Sequence, residues 1–269
     1  MKKYIPLYQV KPGQRVRLSK RPCDEDGGMD KEEGRERLQA LLDPLAEWQR
    51  RLYAEQRQAL LVVLQAMDAG GKDGVIRRVF SAFNPQGCRV TSFKVPTSVE
   101  LAHDFLWRVH QAVPAHGEIG VFNRSHYEDV LVVRVHGMVP RAVWKKRYRQ
   151  INDFERMLVE NGTTLLKFYL HISREEQRRR LEERLKDPTK HWKADPADAR
   201  EREHWDEYRE AYEEAIERCS TAWAPWYVIP ADRKWYRDLV VAEILLEALR
   251  RMNPRYPPPR TDLSNLVIA

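Results

Sequence analysis

The chain has 269 residues, 42% of them hydrophobic and 32% charged, which suits one large, soluble α/β domain. No run approaches the roughly 20 apolar residues of a membrane span. Met1-Lys2-Lys3-Tyr4-Ile5-Pro6 lacks the apolar core of a secretory signal, and Cys23, Cys88 and Cys219 are too scattered for a disulfide framework or zinc site, so a reducing cytoplasm is expected and the net charge of +7 favours polyanionic partners.

Residues 1–29 are rich in Pro, Gly and charge, with Arg15, Arg17, Lys20 and Arg21, and read as an extended arm. Asp30 is placed to cap a helix running to about Gln58, in which Leu38, Leu41, Leu42, Leu45, Trp48 and Leu52 recur at helical spacing. Strands and helices alternate from there. The predicted strands are Ala59–Gln65, Arg89–Lys94, Ile119–Asn123, Thr164–His171 and Trp226–Ile229. The predicted helices between them are Lys72–Phe83, Ser98–Val113, Tyr127–Val135, Arg141–Glu160, Arg174–Leu185 and Asp198–Ala222. A last helix, Arg233–Arg251, stops at Asn253-Pro254 ahead of a Pro-rich tail that closes the 252–269 segment. This order predicts an α/β fold, a parallel sheet with helices on both faces, and ligands at the carboxyl ends of the strands.

The apolar run Leu60–Leu64 stops at Ala66-Met67-Asp68-Ala69-Gly70-Gly71-Lys72-Asp73-Gly74, and a helix follows. Strand, glycine loop, lysine and helix in that order make a phosphate-binding P-loop, whose backbone N–H groups and helix N-terminus surround phosphate oxygens. Ala69, Gly70, Gly71, Lys72, Asp73 and Gly74 are the candidate phosphate-binding residues, with Lys72 neutralising the transferring group. Two positions depart from the usual motif: Ala66 replaces its first glycine, and Asp73 replaces the Ser/Thr after the lysine. Asp73 also reads simply as a first-turn carboxylate favoured by the helix dipole, and Asp68 as a turn residue. A carboxylate beside phosphate is repulsive, however, unless a cation such as Mg²⁺ lies between them, which gives Asp68 a metal role.

A second cluster, Asn123-Arg124-Ser125-His126-Tyr127-Glu128-Asp129, ends the strand Ile119–Asn123, where a P-loop fold places its second metal ligand. The strand-end position is an amide, Asn123, so the metal role passes to Glu128 or Asp129, with Arg124 as a phosphate ligand. Helix capping by Asn123 or Ser125 and solvated acids are the competing readings. His126 reads as a packing or hydrogen-bonding residue, because phosphoryl transfer relies on positioning and electrostatics. A third cluster begins at Arg174 and carries Arg178, Arg180, Arg184, Lys190, Trp192 and Lys193. It is broken at Asp187-Pro188 and Asp195-Pro196. A solvated helix laced with Glu–Arg pairs has this composition, but the breaks favour the arginine-bearing lid of a phosphoryl-transfer enzyme.

Taken together, Met67–Gly74, Asn123-Arg124-Ser125-His126-Tyr127-Glu128-Asp129-Val130-Leu131 and Lys186-Asp187-Pro188-Thr189-Lys190-His191-Trp192-Lys193 resemble the polyphosphate kinase 2 family, in order and spacing, over about residues 30–250. Other classes of that family usually have Asp-Arg-Ser-Trp-Tyr at the second block; the Asn form with Glu128-Asp129 is similar to class III. The resemblance implies a single three-layer P-loop kinase domain over 1–269, thymidylate-kinase-like, with a helical lid at about 174–200. It implies transfer of the terminal phosphoryl group of inorganic polyphosphate to AMP and ADP, with Mg²⁺ or alternatively Mn²⁺. Adenine nucleotides are the expected acceptors, guanine nucleotides a further class, and a homo-oligomer, dimer or tetramer, the expected assembly. Carried over by position, Asp68, Lys72, Arg124, Asp129 and Arg178, or a lid neighbour of Arg178, would be catalytic, and Asp68, Asp129 and Glu128 would organise the metal. Asn123, Arg184 and Lys190 would be supporting residues, and Arg77, Arg78 and Arg134 would line a basic groove.

The nearest rival is an ATP-dependent, thymidylate-like nucleoside monophosphate kinase. Such enzymes also place Asp at position 68 but keep the first glycine and the Ser/Thr that this chain lacks. A nucleic-acid-binding P-loop protein is disfavoured, because the basic residues are interspersed with Glu and Asp and no groove-reading motif is present.

Overall fold

A strand covered on both faces must be apolar at consecutive positions, and Ala59-Leu60-Leu61-Val62-Val63-Leu64-Gln65 is buried throughout. It is β1 of a computed structural model that describes residues 4–193, 195–259 and 261. β2 (Cys88–Ser92), β3 (Ile119–Asn123), β4 (Thr163–His171) and β5 (Trp226–Pro230) complete the sheet among the described residues. The strand order is β2-β3-β1-β4-β5, every pair parallel. Leu64 pairs with Asn123 and Gln65 with Tyr169, so the carboxyl ends of β3, β1 and β4 lie side by side.

The α-helices, in chain order, are α1 (Tyr4–Tyr8), α2 (Lys31–Glu55), α3 (Lys72–Val79), α4 (Ser98–Leu101), α5 (Trp107–His110), α6 (Val132–Val135), α7 (Arg141–Glu160), α8 (Arg174–Lys186), α9 (Pro196–Glu201), α10 (Trp205–Cys219) and α11 (Lys234–Met252). Asp30 caps α2 by accepting from the N–H groups of Glu32 and Glu33. One face of the sheet is covered by α2, α3 and α11 through Leu38, Leu45, Val75, Leu239 and Leu246. The other is covered by α7 and α10 through Tyr148, Ile151, Phe154, Ala211 and Ile216. The result is the expected three-layer α/β arrangement.

Four expectations are corrected. The arm is not extended: Tyr4, Tyr8, Val10, Val16 and Leu18 are buried, and Tyr8 Oη shares a hydrogen bond with Tyr236 at 2.8 Å. Its proline and charge mask an apolar subset, of which Tyr4 and Tyr8 pack on the α11 side of the sheet and Val10, Val16 and Leu18 on the α7 and α10 side. The continuous helix expected over Ser98–Val113 is two short ones, because Thr97 and Glu100 form a capping box and Asp104 accepts from the Leu106 N–H. Tyr127–Val135 begins as a 3₁₀ turn over His126–Val130, with Ser125 accepting from the Tyr127 N–H. Asp198–Ala222 is likewise divided, into α9, a 3₁₀ turn (Arg202–His204) and α10. Residues 1–3 of the arm, residue 194, and residues 260 and 262–269 of the Pro-rich tail lie outside the described residues.

Candidate active site

The loop between β1 and α3 is fixed through its backbone, with Gly70 N–H donating to Met67 O and Gly74 N–H to Gly71 O, both at 3.0 Å. Its carbonyls are taken up from behind. Ala66 O accepts from Tyr212 Oη and Lys72 Nζ, both at 3.1 Å, and Asp68 O from Gln177 Nε2 at 3.1 Å. Ala69 O accepts from an Arg180 guanidinium nitrogen at 3.0 Å, and Gly70 O lies 3.4 Å from Arg237. Among the described residues, the N–H groups of Gly71, Lys72 and Asp73 donate to no backbone carbonyl, and Gly71 offers no side chain to cap α3. Free N–H groups at a helix N-terminus make this a candidate anion site. Gly71 is required twice over: its φ is +102°, and a Cβ there would sit 1.9 Å from Arg237 Nη1.

A cleft of about 1060 Å³ opens at this loop and takes in residues 68–74, Asn123, Arg124, Arg184 and Lys190. Lysine and arginine outnumber aspartate and glutamate along its walls. Lys72 is half-buried, and burial, reinforced by Arg124, lowers its ammonium to about 8. Arg124 has φ +62°, unusual for a side chain this large. Its guanidinium lies 3.0 Å from Asp68 and 4.0 Å from Glu128. Burial raises the Glu128 carboxyl, against the pull of Arg124 and Lys72. Asn123 donates to Asp73 at 3.0 Å, and Lys193, from the 3₁₀ segment Pro188–Lys193, meets the other Asp73 oxygen at 2.7 Å. Burial opposes the charge on Asp73, but those bonds outweigh it and hold the carboxyl below its ordinary range.

Three residues expected in the site lie elsewhere. Asp129, next to Glu128, turns away to Arg147 of α7 at 2.9 Å, and burial raises its carboxyl to about 6. Arg178 points outward on α8, its side chain 54% exposed and paired with Glu175 and Glu182. The helical period puts Arg180 and Arg184 of α8 on the cleft side instead. Arg134 stacks on Trp144 and bonds Glu214 at 2.7 Å. His126 is buried, as its packing reading expected, with Nε2 3.2 Å from Glu155.

Sequence reasoning missed the residues that brace the site. Lys167, fully buried in β4, donates to Tyr127 Oη at 3.0 Å, Glu155 at 2.5 Å and Cys219 O at 2.6 Å. Tyr127 in turn donates to Glu155 at 2.8 Å, so a buried ion pair anchors the turn that carries Arg124. The signal was a lysine inside the apolar run Leu165-Leu166-Lys167-Phe168-Tyr169. Arg237 and Asp238 behind the loop carried a similar signal, two charges heading the apolar stretch of α11.

The residues fit a divalent cation. Asp68 and Glu128 already share one positive group, and Mg²⁺ commonly uses one or two protein carboxylates together with substrate oxygens and water. Among the described residues, no three His, Cys, Asp or Glu side chains form a cage that would hold a metal alone.

Comparison with known proteins shows the family and the fold. The family model described as Polyphosphate kinase 2 (PPK2) matches residues 28–257. An AMP/ADP-polyphosphate phosphotransferase of Meiothermus ruber is 54% identical, over 97% of this chain and 98% of that protein. An ADP-polyphosphate phosphotransferase of Rhodopseudomonas palustris is 44% identical over 96% and 93%. The crystal structure of polyphosphate kinase 2 from Arthrobacter aurescens TC1 superimposes with a TM-score of 0.86 at 44% identity, covering 95% of this chain and 94% of that one.

Proposed function

This chain belongs to the polyphosphate kinase 2 family, and from that premise we propose that it transfers the terminal phosphoryl group of inorganic polyphosphate to AMP, giving ADP, and to ADP, giving ATP. The observation that carries the proposal is the pairing of a glycine loop whose Gly71, Lys72 and Asp73 N–H groups are free of backbone partners with a large, predominantly cationic cleft. A linear polyanion needs both: one site for the reacting phosphate and a charged wall for those behind it.

The attacking group is an oxygen of the nucleotide's terminal phosphate, already anionic near neutral pH, so no general base is needed. The arrangement matches that economy, since His126 is buried away from the cleft. Catalysis then rests on position and charge. The Gly70–Gly74 backbone and Lys72 hold the phosphate under transfer, and Arg124, which lines the cleft, neutralises the charge spread over its oxygens. Asp68 and Glu128 would hold the divalent cation, which we assign as Mg²⁺ with Mn²⁺ as a substitute; when bound it would neutralise charge on the phosphates. The 174–200 segment acts as a lid. Arg180, Arg184, Lys190 and Lys193 line the cleft from it, and Lys193 ties it to Asp73.

An ATP-donor kinase is not favoured. The position that normally offers a hydroxyl after the lysine is Asp73, occupied by Asn123 and Lys193. Lys72→Ala tests the assignment: transfer from polyphosphate to AMP should fall by about a hundredfold or more with the thermal midpoint little changed. Turnover like that of the unaltered protein would remove Lys72 from the mechanism.

A further inference from the structure

Asp238 is fully buried near the start of α11, and its two oxygens have separate tasks. Oδ1 takes both bonds from the buried Arg237, from Nε at 2.9 Å and Nη2 at 2.6 Å. Oδ2 takes Arg78 Nη1 at 3.0 Å. Neutralising Arg237 accounts for the first oxygen only. The second reaches from the interior to an arginine of α3 whose side chain is 42% exposed and lines the cleft. Arg78 and Arg237 also flank Gly74, where a Cβ would lie 2.9 Å from Arg237 Nη2 and 3.7 Å from Arg78 Nη1. Two guanidinium groups on one carboxylate leave a net positive charge, and Arg78 presents it to the cleft.

We propose that Asp238 is a positioning residue for the donor: it fixes the Arg78 guanidinium at the cleft wall, where Arg78 holds phosphates of the polyphosphate chain that are not being transferred. The inference rests on the polyphosphate reading above. An unrestrained arginine gives up rotamer freedom each time it binds, and one already tethered to a buried carboxylate has given it up during folding. Arg78 is a donor-side residue on this account, so its loss leaves the acceptor untouched.

The test uses the full chain with AMP, Mg²⁺ and long-chain polyphosphate. Arg78→Gln should raise the KM for polyphosphate about tenfold or more, while the KM for AMP stays unchanged. Asp238→Asn should produce the same split, its loss residing in the donor KM rather than in kcat, and the double variant should be no worse than Arg78→Gln alone. An unchanged donor KM in Arg78→Gln, or penalties that multiply in the double variant, overturns the proposal. Asp238→Asn strips a buried arginine of its counter-ion and risks the fold. Should it fail to fold, Arg78→Gln is compared on tripolyphosphate and long-chain donors: a greater penalty on the long chain supports the role, and equal penalties overturn it. The unaltered protein in the same assay keeps the two questions apart, because its failure to use polyphosphate at all would count against the family activity and not against Arg78.

Discussion

The side-chain amide of Asn123 donates to Asp73 at 3.0 Å, joining two of the places where this chain departs from the common P-loop pattern. An aspartate at position 73 leaves a carboxylate next to the candidate phosphate site, and an asparagine at the end of β3 supplies one of the two donors that satisfy it, Lys193 the other. A carboxylate at both positions would leave two like charges in hydrogen-bond contact, stable only with a cation between them.

Asn123→Asp should therefore make activity depend more steeply on divalent metal. Below saturating Mg²⁺ the variant should lose about tenfold more activity than the unaltered protein, and at saturation the gap should narrow. A loss of the same size at every metal concentration would show that the amide acts in some other way.

The metal assignment separates two adjacent acids. Glu128 faces Arg124 and Asp68, whereas Asp129 is tied to Arg147. Glu128→Gln should raise the half-saturating Mg²⁺ concentration about tenfold, and Asp129→Asn should change it much less. The reverse order would mean that Asp129 leaves Arg147 to reach the metal when substrate binds.

Lys72 gives a pH signature. Burial lowers its ammonium to about 8, and only the protonated form attracts phosphate. For the free protein, kcat/KM for polyphosphate should fall as pH rises through about 8. Bound phosphate favours the charged form, so the matching limb in kcat should lie at higher pH. Superimposable limbs in the two profiles would contradict this.

Asp129 gives a stability signature of defined sign. Burial raises its carboxyl from 3.8 to about 6, so the folded chain holds the proton more tightly than the unfolded one. Its contribution to stability is fully present below the unfolded value and is lost as pH climbs to about 6. Asp129→Asn stays uncharged, so its thermal midpoint should gain on that of the unaltered protein across this window and level off above it. The change is worth about 3 kcal/mol at most. A difference that does not vary with pH would rule out titration of Asp129 as its source.

The legible parts of the fold were the local ones. β1 and β3 keep their expected limits because each is an apolar run ended by a polar turn, and α7 keeps both of its limits as well. The P-loop was legible because its chemistry lies within nine consecutive residues. The helix expected over Ser98–Val113 failed where Asp104 offered its own backbone bond, which outweighed helical spacing. What supports the site was hidden by distance along the chain: Arg237 braces Gly70 across 167 positions, and Lys167 meets Cys219 across 52. Motif position leaves open which lid arginine reaches the cleft, and the 100° turn per residue of α8 decides against Arg178, which points to solvent beside Glu175 and Glu182.

The central claim, that polyphosphate is the donor, is tested most directly by one comparison. Purified protein with Mg²⁺ and AMP is given either long-chain polyphosphate or ATP at equal phosphoryl concentration, and ADP and ATP formed from AMP are followed over time. The account predicts ADP first and then ATP from polyphosphate, with kcat/KM for polyphosphate well above that for ATP as donor. Transfer from ATP alone, with polyphosphate inert, would contradict it and make the chain a nucleotide kinase of the ordinary kind.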